Sequence, residues 1–276
     1  MQLFWFWWQQ YFIDFREKNM KLYIKNYSSY VSNEEDIDIK KTLKQKYRYD
    51  TRRQDSFIHL AVYGAQLLKE KVDIKHDDEF YLTSGVGNID VVQRTNTTVY
   101  ENSEPLKLFD FINLLGNTTS YYVATSLGIK SKNIFQISNN FTYINTLISL
   151  YASINNSKKD ALLCAIDLVS EPNEIIRRVL GVEKDCEVVS SVNYQKFSLN
   201  SEDAIAELEF DTKIYSLEEI KAQLVYNNHQ IQTSQSKPFE TVASYKINEA
   251  MKNSKDLVYV ECFEDKYKII KLKSLR

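Results

Sequence analysis

The sequence predicts an α/β fold in which helices cover buried strands. Apolar residues alternate or run unbroken in some segments and recur at helical spacing in others, and the two patterns take turns along the chain. The segment Asp160–Ile166 is almost wholly apolar, as expected of a strand buried on both faces. The 276 residues are 43% hydrophobic and 26% charged, enough for one large α/β domain or two small ones and too apolar for disorder.

Lys21–Lys25 alternates and reads as a strand. Asn33–Lys46 is charged and reads as a loop with a short helix. Gln54–Glu70 places Phe57, Ile58, Ala61, Val62, Ala65 and Leu68 at helical spacing. Glu79–Thr83 is a short strand entering the turn Ser84-Gly85-Val86-Gly87. Pro105–Leu115 opens with proline at a helix start, and Asn117–Leu127 is a helix stopped by Gly128. Asn133–Ser138 is a strand, Phe141–Ile154 a helix, and Asp160–Ile166 the buried strand. Pro172–Leu180 is a helix. Cys186–Val192, Lys196–Leu199 and Asp203–Phe210 read as strands, the last two as a hairpin about Asn200-Ser201-Glu202. Residues 211–238 are polar, with one amphipathic stretch at Leu217–Leu224. Phe239–Lys252 is a helix, and Leu257–Cys262 and Tyr267–Leu272 are strands joined at Glu264-Asp265.

Several functions are excluded by composition. A net charge of −2 gives no basic surplus for nucleic acid or an anionic membrane. Cys164, Cys186 and Cys262 are far apart, which suits neither a disulfide framework nor a zinc site, and Cys164 and Cys262 sit in strands as packing residues. A reduced, cytoplasmic setting fits. The aromatic start, MQLFWFWW, lacks a secretory signal's features and is too short to span a bilayer. Residues 1–19 are either a short aromatic segment that packs on a partner or membrane surface, or an extension ahead of a start at Met20. No dinucleotide fingerprint, P-loop or Gly-x-Ser-x-Gly elbow is present, so no cofactor is implied. His59, His76 and His229 are too few for a histidine metal centre; His59 reads as a helix residue with a satisfied ring nitrogen. Lys158-Lys159-Asp160 reads as a solvated charge cluster.

Four stretches, in order, resemble the β-ketoacyl synthase family. They are Arg52-Arg53-Gln54-Asp55-Ser56-Phe57-Ile58, Thr83-Ser84-Gly85-Val86-Gly87-Asn88, Asn117 through Gly128 to Asn133, and Ile137-Ser138-Asn139-Asn140 with the following helix and Asp160–Ala165. A fifth, Phe197–Glu209, is similar to the family's Gly-rich hairpin, with Asn200, Ser201 and Asp203 in place of glycines. The resemblance implies a thiolase-like, layered αβαβα fold. It divides the chain into a ketosynthase-like N-terminal half at 20–210, a connection at 211–238 and an abbreviated C-terminal part at 239–276.

A ketosynthase needs a cysteine at a helix N-terminus, where the helix dipole lowers the thiol pKa and backbone N–H groups hold an oxyanion. The ungapped register from Asn117 to Asp160 puts Asn140 at that position; a slip of one residue puts Asn139 or Phe141 there. None is a thiol, an amide cannot form a thioester, and the family's two histidine motifs are absent. The resemblance is therefore to a catalytically silent, chain-length-factor-type subunit of type II polyketide, polyene or fatty-acid-like biosynthesis. It implies pairing with an active ketosynthase through Asn133–Ser138 and access to an acyl carrier protein through that complex. Asn139, Asn140, Phe141, Tyr143 and Phe135 are the candidate pocket or interface residues, Phe141 and Tyr143 either plugging the pocket or packing the core. The other readings are an enzyme of this fold that uses a cysteine-independent route on carrier-protein thioesters, and a stand-alone structural homodimer.

Overall fold

The computed structural model describes residues 19–32, 34, 37–138, 140–169, 189–225, 231–233 and 241–276. The aromatic start, the 172–180 helix and Cys186 lie outside the described residues.

The first strand, β1 (Met20–Val31), is far longer than the five residues that alternate most clearly. It continues through Asn26-Tyr27-Ser28-Ser29 because its polar groups find partners. Ser28 Oγ donates to Gly64 O (2.9 Å) and Ser29 Oγ to Asn193 Oδ1 (2.8 Å). Helix α1 (Ile39–Gln45) is capped by Asp38, and α2 (Ser56–Lys69) by Asp55, whose carboxylate accepts from Ile58 N–H at 3.0 Å. After β2 (Glu79–Ser84) come α3 (Ile89–Asn96) and a π-helical turn (Thr97–Glu101), neither evident in the sequence pattern. Helix α4 (Leu108–Leu114) begins three residues after Pro105. Helix α5 (Asn117–Leu127) stops at Gly128, whose φ of 77° is the left-handed cap the sequence predicts. Strand β3 (Asn133–Ile137), helix α6 (Thr142–Ser157) and strand β4 (Ala161–Asp167) follow. Then come β5 (Ser191–Ser198), β6 (Ala206–Phe210), α7 (Leu217–Val225), β7 (Ile231–Thr233), α8 (Val242–Lys252), β8 (Leu257–Phe263) and β9 (Lys266–Ser274).

The strands hydrogen-bond in the order β3-β2-β4-β5-β1-β6-β9-β8-β7. β3, β2 and β4 are mutually parallel, and β5 is antiparallel to both β4 and β1. β1 joins two sub-sheets: Tyr23–Val31 pairs with β5, while Met20–Ile24 pairs with β6, and the register shifts between Ile24 and Asn26. This corrects the expected hairpin about Asn200-Ser201-Glu202. β5 and β6 do not pair; β1 lies between them. Likewise, the described part of the two expected strands at 186–199 is the single strand β5, and the connection at 211–238 contributes β7, parallel to β8.

Side-chain alternation sorts the buried residues into layers. On one face of the first sub-sheet, Phe80, Leu82, Leu162, Cys164 and Tyr194 pack with α2 and α5. On the other face, Tyr81, Leu163, Ala165 and Phe197 pack against α6 and α8. The same two helices cover Phe210, Leu257, Tyr259, Ile270 and Leu272 of the second sub-sheet, whose far face packs Val258, Val260 and Ile269 with Ile220 of α7. The order is α-β-α-β-α, with α6 and α8 as the shared middle layer. All seven residues of β4 are buried, as expected of a strand covered on both faces.

Candidate functional site at the strand-to-helix elbow

The turn from β3 into α6 presents the candidate residues. β3 is parallel to β2, and Ser138 N–H bonds to Ser84 O at 3.2 Å. The turn therefore sits at the C-terminal ends of the parallel strands, where α/β folds place their sites. Ser138 Oγ donates to Asn140 O (2.8 Å), and Thr142 Oγ1 donates to Ser138 O (2.6 Å). Asn145 Nδ2 donates to Asn140 O (3.4 Å). Asn140 is half-buried. Asn139 lies outside the described residues.

Phe141 carries the strain of the elbow. Its φ of 47° and ψ of 33° are left-handed, and it serves as N-cap without a side-chain bond. That conformation is unusual for a bulky residue. Its ring is buried, packs edge-on to Phe263 (centroids 6.4 Å apart), and lies 5.6 Å from Lys268 Nζ. Tyr143, early in α6, is fully buried and donates its hydroxyl to Gln195 Oε1 at 2.6 Å. The chain of bonds continues from Gln195 Nε2 to Asn248 Oδ1 (2.7 Å) and from Asn248 Nδ2 to Ser29 Oγ (2.8 Å). It ties α6, β5, α8 and β1 together. Tyr143 and Phe141 are thus both core residues. Phe135 is half-buried and packs under the α4–α5 turn, its ring so close to Gly116 that a β-carbon there would sit 2.7 Å from Cδ1.

Two charged residues that the sequence reading passed over lie beside the elbow. Glu261 and Lys268 are directly opposite on β8 and β9, and both are buried. Lys268 Nζ donates to Asn145 Oδ1 at 3.0 Å. Burial pushes the Lys268 ammonium below its usual range, with Glu261 opposing. Strand alternation was the available signal, because Leu257 and Tyr259 put Glu261 on the same inward face. By the same alternation Cys262 faces the opposite side, among Val258, Val260 and Tyr267. Cys164 is buried in β4, where burial drives its thiol pKa far up, the opposite of an activated nucleophile.

A second buried carboxylate organises the loops around the elbow. Asp167 Oδ1 accepts from Ser84 Oγ (2.8 Å) and Gly85 N–H (2.9 Å), and Oδ2 accepts from Thr241 Oγ1 (2.6 Å). Burial raises its pKa against these donors and the Thr241 backbone N–H. His59 is buried on α2 with Nε2 3.2 Å from Thr51 O, a satisfied helix residue as expected. Among the described residues no cluster of metal-ligating side chains occurs, and no helix is long and apolar enough to cross a membrane.

No protein-family profile matches the sequence, and no curated protein is similar to it. Solved structures do match. A chain of the ishigamide ketosynthase/chain length factor aligns at a TM-score of 0.73 and 10% identity, over 93% of this chain and 100% of that one. The ketosynthase ApeO in complex with its chain length factor ApeC, from Xenorhabdus doucetiae, aligns at 0.59 and 10%, over 91% and 99%. A type II polyketide synthase acyl-carrier protein in complex with its ketosynthase, AntDE:AntF, aligns at 0.63 and 9%, over 94% and 100%. This chain has the thiolase-like fold of these ketosynthases and chain length factors, in the layered arrangement that its core residues define.

Proposed function

We propose that this chain is a ketosynthase-like subunit without thioester chemistry of its own, one that pairs with an active ketosynthase in a type II polyketide, polyene or fatty-acid-like pathway. The observation that carries the proposal is the elbow. At the start of α6 stand an amide, Asn140, and a strained, buried aromatic, Phe141, while the two described cysteines face other cores. In this reading the buried phenyl ring of Phe141 takes the place where an active ketosynthase would hold its acyl thioester. The likeness to structures that contain a ketosynthase with its chain length factor, and to one that contains a carrier protein, supports the choice of partners. So does β3, an edge strand that exposes its own Ile137 and lies beside the exposed Phe111, Leu115 and Tyr121. In this reading β3 pairs with its counterpart in the ketosynthase, and the carrier protein reaches the pair rather than this chain alone.

The test is co-expression with candidate ketosynthases followed by native mass measurement. A one-to-one complex is expected, and only monomers or homodimers in every pairing would defeat the proposal; a homodimer would favour the structural reading. One observation favours a second reading, an enzyme with a cysteine-independent route: Lys268 and Glu261 converge beside Phe141. Incubation with an acyl-thioester analogue separates the two. A stoichiometric adduct or turnover that is lost in Lys268→Met would establish the enzyme.

A further inference from the structure

At the end of the strands opposite the elbow lies a cavity of about 690 Å³. It is walled by β1, by the connection after α2, by the connection between α6 and β4, by the chain after β5, and by Arg276. Its volume is in the range of small-molecule sites. Seven cationic side chains line it against four carboxylates, Asp73, Asp160, Glu202 and Asp203, in a chain whose net charge is −2.

One cation is spoken for. Lys196 is buried, and its Nζ lies 2.8 Å from Asp78 Oδ2, 3.5 Å from Asp160 Oδ2 and 2.9 Å from Asp73 O. This ion pair forms the floor of the cavity and uses Asp160, so Lys158-Lys159-Asp160 is not simply a solvated cluster. The other six cations are Lys25, Lys71, Lys75, Lys158, Lys159 and Arg276. None has a carboxylate oxygen of a described residue within 4.0 Å. Lys25 is fixed by the carbonyls of Asn200 (2.7 Å) and Glu202, and Lys158 by Asn155 Oδ1 (3.3 Å). Lys71 donates to Tyr27 O (3.2 Å) and lies 5.2 Å from the Tyr27 ring centroid. Burial depresses its pKa, with the Glu70 charge opposing, so its ammonium is partly desolvated.

We infer that this cavity is a binding site for a small polyanion carrying more than one phosphate group. The cations come from separate segments and converge on a concavity, which suits a compact ligand better than an extended acidic surface. Lysines act as point charges toward phosphate and need no planar partner. The site lies at the other end of the strands from Asn140 and Phe141, and does not depend on the pairing proposed above.

Tripolyphosphate is the probe, titrated into the full chain by calorimetry at low ionic strength. Saturable one-to-one binding is expected, weakening about tenfold or more when NaCl is raised from about 50 to about 500 mM. Lys71→Gln/Lys159→Gln should weaken binding by about tenfold or more. Both side chains are exposed enough for the fold to survive, which melting curves check. Lys44→Gln/Lys252→Gln, which removes two exposed lysines outside the cavity, should leave binding unchanged. No saturable heat, or equal weakening in both double variants, overturns the site. Citrate binding as tightly as tripolyphosphate overturns the phosphate assignment.

Discussion

Asp167 and His59 show what single buried polar residues contribute to this fold. Asp167 is fully buried and accepts from Ser84, Gly85 and Thr241, so it fastens the end of β4 to the turn after β2 and to the start of α8. An unsatisfied buried donor costs roughly 1–3 kcal/mol. Asp167→Ala orphans three donors and should destabilise the protein by about 3 kcal/mol or more. Asp167→Asn keeps two acceptor contacts and should cost less than the alanine change. Urea denaturation checks the order, and an alanine variant within about 1 kcal/mol of wild type would show that the knot is not needed. His59 gives a pH signature. Burial, against the Thr51 carbonyl bond and the Asp55 charge, and with Lys40 and Lys44 adding to it, lowers the pKa from 6.5. The unfolded chain therefore binds this proton first as the pH falls. The stability due to the neutral ring is fully present above 6.5 and is lost as the pH drops from there through the folded pKa. In His59→Gln this part of the loss between pH 8 and pH 5 should vanish, so the fall in urea midpoint becomes shallower than in wild type.

Turns and registers decide the elements. The β8–β9 connection puts Glu264 at φ 48° and Asp265 at φ 59°, the two left-handed residues of a tight hairpin in which Phe263 faces Lys266. Neither residue favours that conformation as asparagine and glycine do. Glu264→Asn/Asp265→Gly should stabilise the fold by about 1 kcal/mol, read as a higher melting temperature with no change in assembly. This hairpin was legible because both strands alternate and a short polar turn separates them. So were α5, with its Gly128 stop, and β4, with its apolar run. The length of β1 was not. Ser28 and Ser29 break the apolar pattern, and their partners are remote in sequence: Gly64 and Asn193 accept from their hydroxyls, and Asn248, about 220 residues away, bonds Ser28 O and Ser29 Oγ. The separation of β5 from β6 was hidden for the same reason, since a strand from the start of the chain fills the gap between two that look adjacent. At the elbow, the strand-to-helix break and its amide were readable. The left-handed Phe141 and the inward pair Glu261–Lys268 were not, because they depend on how the middle layer meets the second sub-sheet.

At the scale of the molecule, five layers close every broad face, but the sheet still ends at β3. The direction of its main-chain groups can be worked out from two bonds. Lys132 O accepts from Phe80 N–H, and Ser138 N–H donates to Ser84 O. In a parallel pair alternate residues turn both main-chain groups to the same side, so Ile134 and Gln136 face β2 while Asn133, Phe135 and Ile137 face outward. Those outward groups are what a partner strand would bind. Ile137 is 53% exposed, and its N–H is spare within the described fold. Proline at 137 therefore removes a donor from the pairing edge without removing a bond to β2, and prolines are tolerated on edge strands. Ile137→Pro should leave the melting temperature of the isolated chain nearly unchanged. Association with the proposed ketosynthase partner should weaken by about tenfold or more, one lost charge-free hydrogen bond plus a misfit in the ladder. Phe111→Ala, on the flanking helix, should weaken association through lost apolar contact with the edge bonds intact. If Phe111→Ala weakens the complex and Ile137→Pro does not, the partner packs on the helices and the sheet does not continue across the interface. If neither has an effect, β3 is not the docking edge.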